Sequence, residues 1–451
     1  HRRHGPGLHR DLPSIEVPGP PTATVPGTAS LPRAQRVSPP ARAELDKHLF
    51  VWSQAPAMDL SLSPEDEAFA REARAWLEAN LPLEWRRGRL WTRADDPLWI
   101  EIARPWQRLL YEGGWAAISW PRHWGGRGAS VVERWLFVEV LDRIGAPRPI
   151  ASCGAVDLIG TALLRHGTKK QQRRFIEPLL SGQELWCQGF SEPGAGSDLA
   201  SLRTRAERVG SEFVVQGQKV WTSHADLADW CFLLCRTEPE APKHRGLSLL
   251  LVPMHTRGIT VRPLRQMTGE AEFCEVFFED VHVPAENLVG QPGSGWTIAM
   301  GILTHERGPV WTFTFQRKIR RSLNQHVKLT RRTGLQADPL VRQWLAQAWI
   351  EVELLRFTGY RSMTRLTRTG QPGTESSIEK IMGSETDQRL QDTAMRILGV
   401  WAAACPRHDA AHWETMVYEY LYARSETIMG GTSEIQRNVI AQRLLGLPRG
   451  T

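Results

Sequence analysis

A mainly α-helical chain with a central β domain is predicted by three observations. Apolar residues recur at helical spacing from about residue 63 to 180 and again from 296 to the end. Between them, residues 186–295 break into short β-branched and aromatic runs bounded by Gly, Pro and Asp. The texture changes at Ser191-Glu192-Pro193-Gly194-Ala195-Gly196-Ser197-Asp198, which is neither apolar nor periodic. The expected architecture is an N-terminal helical domain (58–185), a β-barrel-like middle domain (186–295) and a C-terminal four-helix bundle (296–451).

Each element has its own signal. Residues 1–57 hold ten prolines and no helical or strand period, so they cannot bury enough apolar surface to offset the entropy of ordering. They are read as a disordered extension, with Met58 as the start of the native chain. Ser63-Pro64-Glu65-Asp66 places an N-cap, a proline at the first helical position and acids in the first turn, predicting a helix to about residue 80. Helical patterns follow at about 98–112, 131–144, 152–166 and 169–180, with Thr168-Lys169-Lys170-Gln171 as a capping box for the last. Strands are expected at 212–220, 229–236, 247–253, 259–263 and 272–283, a spacing that suits a compact barrel or sandwich. Long helices are expected near 296–330, 338–369, 376–403 and 409–427, then 432–445.

Composition removes several function classes. The chain has 451 residues, 41% hydrophobic and 23% charged, and its six cysteines form neither a disulfide-like nor a zinc-like grid, so a reducing compartment and no metal are expected. Its net charge of +7 is interleaved with acids and lacks basic patches with aromatics, which argues against nucleic acid. No apolar run reaches the 18 or more residues of a membrane span. A soluble, cytoplasmic protein is expected.

Chemistry is concentrated in four segments. In Ser191–Asp198, glycines permit φ > 0 and close approach of a ligand to the backbone, while hydroxyls and free N–H groups suit phosphate or flavin oxygens. Lys219-Val220-Trp221-Thr222-Ser223 sets an indole and two hydroxyls at a strand end, suited to a planar ring. Thr304-His305-Glu306-Arg307-Gly308 lies in the last domain. Gly430-Gly431-Thr432-Ser433-Glu434-Ile435-Gln436-Arg437 is a second glycine and hydroxyl loop, and it opens a helix, whose N-terminus is suited to an anion or carbonyl oxygen.

Together, Gly189–Asp198, Lys219–Ser223 and Gly431–Arg437 resemble the three signatures of the acyl-CoA dehydrogenase family, in order and over about residues 60–449. The resemblance implies FAD, an acyl-CoA substrate desaturated between its α and β carbons, and electrons passed to an electron-transfer flavoprotein. It implies that Gln188, Gly189, Phe190, Ser191 and Ser197 line the flavin, Ser197 also meeting substrate, and that Trp221, Thr222 and Ser223 flank its ring. Thr432 and Glu434 belong to the same cofactor-binding set. Arg331 and Thr333 match the family's adenine-side segment, which usually reaches a neighbouring subunit's FAD, although its Phe is missing here. Arg396 and Gly399 fall where the family often has Gln-Ile-Phe-Gly-Gly, and Arg396 and Val400 depart from it.

The catalytic base departs further. Many members carry a glutamate immediately before the closing Gly-Thr, where this chain has Gly430. A minority, including isovaleryl- and long-chain-type dehydrogenases, carry it at the start of the bundle before an arginine, and Glu306-Arg307 fits that place. Glu306 is therefore expected as base with Arg307 tuning it. The Gly430 N–H is expected as a donor to the thioester oxygen, with Thr304, Arg307 and Gly431 near substrate. A homo-oligomer (dimer or tetramer) or a mixed tetramer with a homologue is implied. Two alternatives stay open: a flavin oxidase of the same fold, and a non-catalytic subunit lending FAD contacts.

Overall fold

Ser63 begins an ordered helix for the reason its position implies. Its hydroxyl accepts the Asp66 amide at the head of α1 (Pro64–Asn80), where three acids face the positive end of the helix dipole. The computed structural model describes residues 61–86, 97–147, 156–306, 309–370, 373–403 and 413–448, so the expected extension at 1–57 lies outside the described residues. The unit Leu62–Thr451 holds all the architecture that follows.

In the N-terminal domain α1 packs Phe69, Ala73 and Leu77 against α2 (Pro97–Glu112) and α3 (Val131–Ile144), with Trp106, Trp115 and Phe137 filling the cluster. Capping boxes start α3 at Ser130 and α5 (Lys169–Ser181) at Thr168. α4 (Thr161–His166) is shorter than the expected 152–166: residues 156–160 form a wider turn, and 152–155 lie outside the described residues.

The middle domain is an eight-stranded sheet. Its strands are β1 (Trp186–Gly189), β2 (Arg205–Val209), β3 (Glu212–Ser223), β4 (Trp230–Arg236), β5 (Leu247–Pro253), β6 (Ile259–Leu264), β7 (Phe273–Pro284) and β8 (Leu288–Val289). They pair in the order β6-β7-β3-β2-β4-β5-β8, with β1 parallel to β4. β4 reads as an unbroken apolar run because both faces are covered. Cys231, Leu233 and Cys235 face a core with Val252, Val276 and Phe278, while Phe232 and Leu234 face Leu179 and Ile298 of the flanking helices. β1, β2 and β8 escaped sequence reading because they are short and their apolar residues are few.

The expected helix at 296–330 is two helices, α6 (Gly295–Glu306) and α7 (Pro309–Thr333). Pro309 lacks an N–H and disfavours helical geometry at the residue before it, so the break is local chemistry. α8 (Pro339–Thr369), α9 (Glu375–Leu398), α10 (Trp413–Glu426) and α11 (Ser433–Val439) complete the domain. Ile319, Leu323, Val352, Leu355 and Leu390 pack α7, α8 and α9 together. Thr312 bonds Glu379, Lys318 bonds Asp387 and Lys380 bonds the end of α10. These links set the starts of α7 and α9 beside the end of α10, with the ends of α7 and α9 at the far end of the bundle. Among the described residues no helix is long and apolar enough to cross a membrane, and no group of three or more His, Cys, Asp or Glu could hold a metal.

Candidate functional site

Packing demands glycine where β1 ends, because a Cβ on Gly189 would sit 2.7 Å from Cys231 Sγ on the paired strand. β1 carries half-buried Gln188 and delivers Phe190, edge-on to Phe232, and half-buried Ser191 to the end of the sheet. Two contacts then lock the loop to β3. The Val220 amide donates to Ser191 O at 2.9 Å, and Lys219 Nζ donates to Phe190 O and Glu192 Oε1, both at 2.9 Å. Glu192 also accepts the Arg203 and Thr204 amides at 2.6 and 2.8 Å. Burial opposes charge on Glu192, yet Lys219 and these amides hold its carboxyl below the usual range; burial likewise pulls the Lys219 ammonium down. A buried pair persists only when so fully bonded.

Gly194 and Gly196 do not use the left-handed region that glycine permits. A Cβ on either would meet nothing within 4 Å, so their contribution is an unobstructed backbone. Ser197 beside them is exposed, and Asp198 is held by Lys243 Nζ at 2.6 Å.

β3 ends in a bulge between Lys219 and Thr222 that turns consecutive side chains in unusual directions. Trp221 has φ 60° and is 60% exposed, its ring edge-on to Phe273. Thr222 is fully buried, and its hydroxyl has no hydrogen-bond partner among the described residues. Ser223 is exposed. Strain at an exposed aromatic beside an orphaned buried hydroxyl is what a waiting planar ligand would explain.

The second glycine loop follows α10. The Ile428 and Met429 amides return to Ser425 O, Ser433 N bonds Thr427 O, and Gly430 and Gly431 adopt φ 63° and 93°. The Thr432 hydroxyl caps α11 by accepting the Ile435 amide, and Glu434 is exposed in its first turn. Ser433 Oγ and Gln436 Oε1 are buried without partners among the described residues.

Glu306 is the last residue of α6, three positions before α7 begins beside the end of α10. The structure thus brings its backbone to the same end of the bundle as the Gly430 turn. Thr304 is exposed, its hydroxyl bonding Met300 O, and Arg307 lies outside the described residues. Arg331 and Thr333 end α7 and Arg396 and Gly399 end α9, with Arg396 over the Trp344 ring of α8. That group occupies the opposite end of the bundle, roughly 35 Å along α7. The predicted residues therefore form two groups that one chain does not bring together.

Sequence reasoning gave no role to Glu192 and Lys219, since Lys219 follows Gln216-Gly217-Gln218 in a strand of mixed character. It also missed Tyr418, whose OH donates to Glu270 Oε2 at 2.7 Å and ties α10 to the loop before β7. A separate cleft of about 810 Å³ between α1, α3, α7 and α8, walled by Trp135, Phe313, Arg317 and Tyr360, contains none of the predicted residues.

Comparison with known proteins gives consistent matches. Residues 63–183, 187–281 and 293–445 match the N-terminal, middle and C-terminal domain models of acyl-CoA dehydrogenases. The acyl-CoA dehydrogenase IpdE1 of Mycobacterium tuberculosis is 42% identical over 384 residues, covering 85% of this chain and 98% of that protein. A solved steroid acyl-CoA dehydrogenase, Tcur3481-Tcur3483, superposes with TM-score 0.75 at 31% identity, covering 87% of this chain and 100% of that one. The ChsE4-ChsE5 complex from Mycobacterium tuberculosis gives 0.70 at 30% identity, again covering 87% and 100%.

Proposed function

The chain belongs to the acyl-CoA dehydrogenase family, and on that premise we propose that it is an FAD enzyme desaturating an acyl-CoA thioester with Glu306 as its base. The observation that carries this reading is the Trp221–Thr222 bulge: an exposed indole, and a buried hydroxyl lacking a protein partner, at the loop that Lys219 and Glu192 hold in place. These residues fit FAD. Thr222 and Ser191 would bond its ring, Trp221 would cover one face, and bound FAD would accept the hydride from the β carbon.

The protein's own part is geometry and charge. Glu306 closes α6, and its carboxylate would take the α proton as general base. The N–H of Gly430 points from a turn with φ 63° and would take the negative charge developing on the thioester oxygen. Arg307 would orient Glu306. Ser197 and Gly431 would border substrate with Thr304. The distant group, Arg331, Thr333, Arg396 and Gly399, would hold the FAD of a neighbouring subunit, because it lies too far along α7 to reach its own.

The substrate class we favour is a bulky thioester such as a steroid side chain, in line with the solved steroid acyl-CoA dehydrogenase. Electrons would pass to an electron-transfer flavoprotein, and the compartment would be the cytoplasm. A second reading is favoured by the ChsE4-ChsE5 complex: a mixed tetramer in which this chain joins a homologue.

Anaerobic titration of the purified flavoprotein with short, long, branched and steroidal CoA thioesters tests all of this. Bleaching by one class is expected, and Glu306→Gln should slow it by about 10²–10⁴-fold. A variant that bleaches at the wild-type rate removes Glu306 as base. Colourless homomer that gains FAD on co-expression with a homologue selects the mixed assembly, and rapid reoxidation by oxygen selects an oxidase.

A further inference from the structure

The end of α10, and with it the Gly430 turn, is held from beneath by α7 and α9. Lys318 on α7 places its Nζ 3.0 Å from Asp387 Oδ2, 3.1 Å from Glu419 Oε2 and 2.5 Å from Glu426 Oε1. Lys380 on α9 donates to the Glu426 carbonyl at 2.5 Å. Gln388 donates to Ala423 O at 3.0 Å and Thr427 Oγ1 at 2.9 Å. Three side chains thus converge on the last turn of α10, four residues before Gly430.

The charges balance only as a unit. Burial opposes the Lys318 charge, but Asp387, Glu419 and Glu426 hold it firmly protonated. Burial also opposes ionisation of Asp387, which Lys318 nonetheless keeps below the usual range, while burial pushes Glu426 well above it. Lys318 and Asp387 therefore form the ion pair, with the Glu419 and Glu426 carboxyls, both pushed up by burial, completing the cluster. Lys318 also lies over the Tyr422 ring, stacked on Tyr418, which bonds Glu270. Glu272, two residues on, accepts the His224 amide just past Ser223. One chain of contacts runs from Lys318 to both glycine-loop and strand-end walls of the candidate site.

We propose that Lys318, Lys380 and Gln388 are positioning residues that fix the Gly430–Gly431 turn by clamping the last turn of α10. The inference rests on the acyl-CoA dehydrogenase reading for its catalytic meaning, but the clamp itself is a property of the chain. Free helix carbonyls and a two-glycine turn would otherwise fray, and an N–H donor misplaced by about 1 Å can cost about 10²-fold in rate.

The test combines hydrogen exchange with flavin reduction in Lys380→Met, Lys380→Arg, Lys318→Met and Gln388→Ala. Amides 427–433 should exchange at least about tenfold faster in the Met variants and measurably faster in Gln388→Ala, with α8 peptides unchanged. Lys380→Arg should restore protection. The maximal rate of flavin reduction should fall while KM changes little. If the Met variants do not fold, Gln388→Ala, which leaves every charge in place, carries the test. Unchanged protection of 427–433 in the folded variants overturns the clamp. A wild-type chain that no thioester bleaches defeats the enzymatic reading instead, and leaves the exchange result to be judged by itself.

Discussion

Thr222 concentrates the residue-scale logic of the site. Its buried hydroxyl lacks a partner among the described residues, and an unsatisfied buried polar group costs about 1–3 kcal/mol. Thr222→Val keeps the shape and removes that cost. It should raise the melting temperature of the FAD-free chain by a few degrees while weakening FAD binding, measured by flavin retention and thermal unfolding of the same preparations. A variant that gains stability in both the free and the loaded state would show that the hydroxyl serves no ligand. The motif residues were legible because glycines, hydroxyls and tryptophan stand out in sequence. What Glu192 and Lys219 do was not legible, since their pairing joins a loop to a strand 27 positions away.

At the scale of elements, the interior of the bundle stores two opposed titrations. Burial pushes Glu379 of α9 up to about 7, against the hydrogen bond it accepts from Thr312. The folded state holds this proton more tightly than the unfolded chain, where the value is 4.5. Its stabilising contribution is therefore complete below pH 4.5 and is lost as pH rises through about 7. Burial pushes His326 of α7 down to about 4, so its contribution is complete above 6.5 and is lost as pH falls through about 4. Glu379→Gln should flatten the decline in melting temperature between pH 5 and pH 8 while leaving the acid limb unchanged. An unaltered alkaline limb would assign that decline to other groups. Most helix boundaries were readable because caps and prolines are local signals. The break at Pro309 was passed over although Gly308-Pro309 and the polar run 304–307 before it are local signals of the same kind.

For the whole molecule, the candidate site lies between a sheet and a bundle that share few local signals, so cofactor and fold should stabilise each other. Loading with FAD at about 1,000 times its dissociation constant adds about 4 kcal/mol by mass action. The holo chain should melt several degrees above the apo chain, and a melting temperature indifferent to added FAD would remove the cofactor assignment. Sequence by itself determined the helical, β, helical order and the two glycine loops, because periodicity, caps and turn residues act over a few positions, while Glu306 as base came only as what the family resemblance implies. Tertiary structure decided which of those residues meet. It set the Gly430 turn and the end of α6 at one end of the bundle and sent Arg331, Thr333, Arg396 and Gly399 to the other. It also brought Lys318 and Lys380 beneath the turn. Helix direction and the pairing of buried charges depend on partners far away in the chain, and no local pattern encodes them.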